Sequence, residues 1–335
     1  MLGFCPERPR CKADFQQGES TMDHERPAYA EITEVGPRDG FQAEATFIPT
    51  ARKIEFIERL IQAGMPRIEA TSFVSPKAVP QLADAEEVMR ALPRGHATRL
   101  AALVPNKRGA LRAAEAQVDD MVVFVSASES HNSKNVNCAI EDSLKGFEDV
   151  VRVAQEAMIP VHGAIATAFG CPFEGDVKVA QVGEIARRFQ ALGFAGISLG
   201  DTTGMATPPL VEAVVRQVRK SAPALTLGLH FHNTRGIGLA NVMAGLALGV
   251  DRYEGSFGGI GGCPFAPKAT GNICTEDLVY LLEECGVRTG IDLRRLCAIA
   301  CDVEREVAHE LPGQVMKAGP RLDLHPMDSV RAAVG

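Results

Sequence analysis

The chain has 335 residues, 46% of them hydrophobic and 23% charged, with a formal net charge of −7. That is ordinary globular composition. Its charges are interspersed without a basic stripe and no apolar run is long enough for a membrane helix, so neither nucleic acid nor a membrane is expected as a partner.

Residues 1–28 carry no hydrophobic periodicity. The run Cys5-Pro6-Glu7-Arg8-Pro9-Arg10 opens a polar stretch that lacks the apolar centre of a secretory signal. The expectation is a mobile N-terminal tail, or upstream sequence ahead of a start near Met22. From about Ala30 short apolar runs alternate with longer amphipathic ones. Predicted strands are Glu31–Val35, Arg67–Ala70, Thr98–Leu103, Met121–Val125, Val161–Ala166, Gly196–Leu199, Leu225–His232 and Arg252–Ser256. Predicted helices include Ala51–Ala63, Ile140–Met158, Val177–Leu192, Pro208–Lys220 and Gly238–Leu248. Gly64, Gly193 and Gly249 each close a helical run ahead of a strand.

Alternating β and α units imply a parallel sheet with helical crossovers. Eight such units predict a (β/α)8 TIM barrel over 29–312. A doubly wound open sheet is the competing architecture, but Gly36-Pro37-Arg38-Asp39-Gly40 is not its phosphate-binding turn. After Thr275 the pattern is helical, through Leu278–Glu284 and Leu293–Leu311, which predicts a C-terminal helical extension; 313–335 reads as an irregular tail. The nine cysteines are scattered with no C-x-x-C pair, which points to a reducing, cytoplasmic setting.

The segment Leu229-His230-Phe231-His232-Asn233 places two imidazoles at i and i+2 of a strand, hence on one face. With a carboxylate beside them they would form a metal site; alone they would equally be a buried, hydrogen-bonded histidine beside a polar one. Chemistry in a barrel sits where strands end. Those ends supply Arg38 and Asp39, Glu69, Thr167 and Cys171, Asp201, His230 and His232, and then the loop Gly258–Pro264 carrying Cys263, followed by Asn272. Glu69 and Asp201 could instead be internal buttresses, with Arg38 bridged to Glu69. An Asp, two His and Asn272 give mixed oxygen and nitrogen ligation, which suits Mg²⁺ or Mn²⁺ better than zinc. A thiol on a glycine-rich loop fits an acid or base that arrives on closure.

The runs Glu34–Gln42, Ile68–Lys77, Ser198–Thr202, Gly261–Ala266 and Thr270–Asn272, the last leading into Thr275–Tyr280, form a distinctive set. Together they resemble the 3-hydroxy-3-methylglutaryl-CoA lyase family, within the metal-dependent barrel group that includes isopropylmalate and homocitrate synthases. The cysteine loop and the Glu-Ala-Thr-Ser-Phe-Val-Ser-Pro run are specific to the lyase branch. The resemblance implies that Asp39, His230 and His232 hold the metal, with Asn272 completing or supporting the set. It implies that Arg38 stabilises an enolate oxygen, that Cys263 is the catalytic thiol, and that Glu69 and Asp201 position Arg38 and share in proton transfer. The implied reaction is retro-Claisen cleavage of an acyl-CoA substrate to acetyl-CoA and a 3-oxo acid such as acetoacetate, by a homodimer.

The chain departs from the family pattern in two places. Asn233, Thr234 and Arg235 stand where Asp, Thr and Tyr are usual, and Val161-His162-Gly163-Ala164 replaces a Val-Arg-Gly-Tyr segment. Residues expected at the acyl group are Gln42, His162, Thr167, Asn233 and Arg235, so a variant 3-hydroxyacyl-CoA is an expected alternative substrate. Lys77, Lys107 and Lys134 are candidates for the CoA phosphates. Competing readings are an acetyl-CoA-dependent condensing synthase and a non-catalytic acyl-CoA-binding barrel. The cysteine loop argues against the first, and the complete ligand set argues against the second.

Overall fold

The structure, a computed structural model, describes residues 26–262 and 271–324. Eight parallel strands close into a barrel in sequence order: β1 (Glu31–Glu34), β2 (Arg67–Ser72), β3 (Arg99–Leu103), β4 (Asp120–Ser126), β5 (Val161–Ala166), β6 (Gly196–Asp201), β7 (Thr226–Phe231) and β8 (Arg252–Gly255). No strand end differs from the sequence expectation by more than two residues. The predicted helices are present, ending as at Thr50–Gln62 and Ile140–Glu156. Gly64, Gly193 and Gly249 have φ of 84°, 82° and 70°, the left-handed geometry that ends a helix.

The pleat explains the layering. Along β5, Val161, Gly163 and Ile165 point outward and are buried, whereas His162, Ala164 and Ala166 point inward and are only partly buried. The outer core lies between sheet and helices, with Phe56, Ile57 and Leu60 from one helix and Val182, Ile185 and Phe189 from another. Phe189 stacks on Phe194 with ring centroids 4.5 Å apart. The inner face of the barrel is lined partly by small residues, among them Ala101, Ala164, Ser198 and Gly228, which leave a cavity inside it.

Among the described residues, three helices of seven residues or more escaped the sequence reading: Ala85–Ala91, Lys107–Glu115 and Glu129–Val136. All are short, and the last ends at Asn137 in the left-handed region. The predicted helix Leu293–Leu311 stops at Val307, because Ala308 turns left-handed at φ 57°. Part of the segment expected to be irregular is ordered: Val315–Ala318 forms a helical turn that buries Val315 and Met316, and the Val315 N–H donates to Asp277 Oδ1 at 2.7 Å. At the other end, Ala28 accepts a hydrogen bond from the Arg288 N–H at 3.1 Å, which seats the start of the barrel on the C-terminal extension.

Two buried carboxyls tie the β8 exit to the barrel wall. Glu34 accepts from the Gly36 N–H at 2.7 Å and the Phe257 N–H at 3.0 Å. Glu276 accepts from the Gly258 N–H with both oxygens at 3.1 Å. Burial raises Glu34 to about 7 and Glu276 to about 8. A carboxyl raised on folding holds its proton where the unfolded chain has lost it. Its contribution is full below the unfolded value and is lost as pH rises through the folded one. We therefore expect stability to fall as pH rises from about 4.5 to about 8. A Glu276→Gln variant should flatten that fall, read from urea midpoints compared across the window.

Candidate metal and catalytic site

The site sits at the C-terminal ends of the strands. It begins at the turn Gly36–Gly40, where the N–H groups of Arg38, Asp39 and Gly40 all converge on the Val35 carbonyl at 3.1, 2.7 and 3.4 Å. This π-type turn pushes successive side chains over the barrel mouth, a local irregularity common at functional sites. Arg38 Nη1 bonds Asp39 Oδ1 at 2.6 Å and Arg38 Nη2 bonds Glu69 Oε2 at 2.8 Å. Arg38 Nε and Glu69 Oε1 are buried without a hydrogen-bond partner among the described residues.

β7 delivers the histidines as its two-residue period predicts. His230 Nε2 and His232 Nε2 lie 3.1 Å apart, and with an Asp39 oxygen they form a group whose ligand atoms all lie within 4.8 Å of one another. Asn272 reaches the same place, its Nδ2 donating to Asp39 Oδ2 at 2.9 Å and to the Ile260 carbonyl at 3.0 Å. Its Oδ1 is buried without a partner. Gly261, at φ 118°, passes so close that a Cβ there would lie 2.5 Å from Asn272 Nδ2 and 3.3 Å from Asp39 Oδ2. Glycine keeps that space open.

The electrostatics favour ligation at Asp39 and His232. At His230 burial is outweighed by Glu254 and Asp39, which raise its pKa, so a cation there competes with a proton. Burial pushes Asp39 upward, but Arg38, His230 and His232 outweigh it and hold the carboxylate below its usual range. Burial, then His230, push His232 down to about 3, which keeps its imidazole neutral with a lone pair to give. Glu254, on β8, was not singled out from the sequence. Its Oε2 lies 2.9 Å from His230 Nδ1. An ionised carboxylate can only accept, so Nδ1 carries the proton and Nε2 is left as the donor atom. That is the carboxylate–imidazole pairing that orients metal-binding histidines. The available signal was that Arg252, Glu254 and Ser256 alternate along one strand face. Converging lone pairs, an orphaned Asn272 oxygen and a space closed to any side chain fit a divalent cation held by Asp39, His230 and His232 with Asn272 alongside.

Asp201 joins the rim. Its Oδ1 accepts from the N–H groups of Met205 at 2.7 Å and Ala206 at 2.9 Å, and its Oδ2 has no partner among the described residues. Burial raises it to about 6. Thr167 caps β5 at φ 54°, strained for a β-branched residue, and its N–H donates to Thr202 Oγ1 at 2.8 Å. Gln42 is exposed just beyond the Arg38 turn. Arg235 is exposed on the loop after β7, with Nη1 held by the Thr203 and Gly204 carbonyls at 2.9 and 2.7 Å. Asn233 is committed to its own loop, because its Oδ1 accepts from the Gly238 N–H at 3.1 Å. Lys77, Lys107 and Lys134 are exposed. Cys263 lies outside the described residues.

His162 corrects the sequence reading. It is the second residue of β5, so it faces the N-terminal end of the barrel rather than the mouth. Its Nε2 is 3.3 Å from Asp120 Oδ1, at the start of β4. It does not join the site.

Comparison with known proteins identifies the family and the fold. The HMGL-like family profile matches residues 30–303. The mitochondrial hydroxymethylglutaryl-CoA lyase of Arabidopsis thaliana is 44% identical over 272 residues, 81% of this chain and 58% of that protein. Hydroxymethylglutaryl-CoA lyase YngG of Bacillus subtilis is 42% identical over 288 residues, 86% of this chain and 96% of that protein. The structure of an HMG-CoA lyase from Acinetobacter baumannii, in complex with coenzyme A and 3-methylmalate, superposes with a TM-score of 0.86 at 44% identity, covering 90% of this chain and 98% of that one.

If Glu254 orients His230, Glu254→Ala should weaken divalent-cation binding by about 10–100-fold while leaving the fold intact. Mn²⁺ titration beside a thermal melt reads both; unchanged affinity would remove Glu254 from the site.

Proposed function

The chain belongs to the HMGL-like family, and on that premise we propose that it is a divalent-cation-dependent carbon–carbon lyase. Its substrate is 3-hydroxy-3-methylglutaryl-CoA or a closely related 3-hydroxyacyl-CoA, cleaved to acetyl-CoA and a 3-oxo acid such as acetoacetate. The observation that carries this reading is the convergence of Asp39, His230 and His232 beside the Arg38–Glu69 pair. The cation, Mg²⁺ or Mn²⁺ by the hardness of the donor set, supplies Lewis acidity to the substrate oxygens when bound.

The chain's own groups do the rest. Asp201, with one free oxygen and a raised pKa of about 6, accepts the proton of the tertiary hydroxyl. The C–C bond then breaks, leaving a ketone on one fragment and an enolate on the departing acetyl-CoA. Arg38 is fully cationic: burial opposes its charge, but Glu69 and Asp39 raise its pKa well above the usual value. Glu69 also fixes its guanidinium, so a charge-assisted donor waits for the enolate oxygen. Cys263 delivers a proton to the enolate carbon, which completes acetyl-CoA. Gln42, Thr167 and Arg235, at the same mouth, are the side chains assigned to the acyl group. The six described cysteines are all unpaired, which supports a reducing, cytoplasmic setting; we also expect a homodimer.

Incubation with Mg²⁺ and 3-hydroxy-3-methylglutaryl-CoA should release acetoacetate. Cys263→Ala should lower kcat by about 10²–10⁴-fold with the cation still bound. Asp39→Ala should abolish both binding and turnover. Absence of cleavage with metal bound would move the search to other branched 3-hydroxyacyl-CoA esters, with Arg235→Ala as the first variant.

A further inference from the structure

Asp201 ends β6, and the turn after it folds back to hold its carboxylate. The Gly204 N–H donates to the Asp201 carbonyl at 3.0 Å, which closes the turn with Gly204 at φ 62°. The N–H groups of Met205 and Ala206 then meet Oδ1 at 2.7 and 2.9 Å, and Oδ2 is left without a partner among the described residues. One oxygen is anchored and the other is bare, the arrangement a positioned base needs. The far end of the turn is pinned by Asn241 of the helix Gly238–Ala247, whose Nδ2 donates to the Ala206 carbonyl at 3.1 Å.

The middle of the turn is gripped from the next loop. Arg235 places Nη1 2.9 Å from the Thr203 carbonyl and 2.7 Å from the Gly204 carbonyl. The loops touch beside it: a Cβ on Gly204 would lie 2.6 Å from Thr234 Cβ, so only glycine allows the approach. The Gly204 carbonyl matters most, because it shares one peptide unit with the Met205 N–H. A cation donating to a peptide oxygen draws density from the nitrogen and strengthens the bond its N–H makes. Arg235, that peptide and Asp201 Oδ1 therefore form a chain of two hydrogen bonds, each 2.7 Å long. The tyrosine usual at this position in the family pattern has a single neutral donor, so it cannot bridge both carbonyls with charge.

We propose that Arg235 is a positioning residue for the lyase reaction. It clamps the turn after β6 and, through the Gly204–Met205 peptide, fixes Asp201 with Oδ1 anchored and Oδ2 free for the substrate hydroxyl. This rests on the lyase reading given above. Only Nη1 is spent on the turn, so the role is separate from the acyl contact assigned to Arg235: it acts on the rate of the chemical step, whereas an acyl contact acts on binding.

The test uses the full chain loaded with Mg²⁺. Arg235→Ala should lower kcat by about 10–100-fold, the cost of a misplaced base. Arg235→Lys, whose ammonium can still donate to both carbonyls, should recover most of that loss. In an Asp201→Asn background Arg235→Ala should cost little more, because the group it positions is already gone. A readout independent of turnover is the Met205 amide proton in ¹⁵N-methionine-labelled protein, identified by its loss in Met205→Leu. It should move upfield in Arg235→Ala and return in Arg235→Lys. If Asp201→Asn shows no measurable turnover, the lysine rescue and this resonance decide. A native chain that does not cleave 3-hydroxy-3-methylglutaryl-CoA, with Met205 still responding, would count against the lyase reading and leave the clamp in place. A Met205 resonance unmoved by Arg235→Ala, a rise in KM with kcat unchanged, or the full loss repeated in the Asp201→Asn background would overturn the proposal.

Discussion

The pairing of β8 with β1 is the constraint on which the rest depends. Asp39 stands after the first strand, the histidines on the seventh, and Asn272 beyond the eighth. These positions are remote in sequence and meet only because the barrel closes with Glu34 beside Gly255 and His230 beside Glu254. Closure also places the Gly36 turn and the β8 exit around one carboxyl, Glu34, which bonds both. A shift of one residue in that register would turn the inward side chains outward. His230 would then lose Glu254, and both histidines would leave Asp39 together.

Around that seam the protein accepts costly local arrangements. Glu34 and Glu276 are buried carboxyls that hold backbone amides at the root of the glycine loop, at the expense of stability at higher pH. Thr167 is left-handed although β-branched. Arg38 sits between two carboxylates with its Nε unmatched. These features cluster at the mouth, where preorganised donors matter more than economical packing. At the opposite end the buried Asp120 draws Arg67, Arg99 and His162 together.

Much of this was legible in the sequence, for identifiable reasons. Strand alternation and glycine stops give element type and order almost directly, and β5 was bounded to the residue. His-x-His is readable because strand period fixes the facing of both rings. Height along a strand is harder to read. His162 and Ala166 share one inward face of β5, yet only the last residues of a strand reach the mouth, so a position near the strand's start was placed at the wrong end. Glu254 was missed because its meaning lies across the ladder, in the histidine it faces, and not in its own neighbours. Asn233 was expected at the acyl group because it stands where the family pattern has Asp; its oxygen accepts from the Gly238 N–H of the loop that follows. The short helix Glu129–Val136 carries too weak an apolar stripe to announce itself.

The central claim is that one divalent cation is held jointly by Asp39, His230 and His232. Pulsed EPR of the Mn²⁺-loaded protein tests it most directly, because it detects imidazole nitrogen bound to the metal. Nitrogen couplings from two imidazoles are predicted, reduced to one in His232→Gln. A spectrum without imidazole nitrogen, or one unchanged in that variant, would contradict the account.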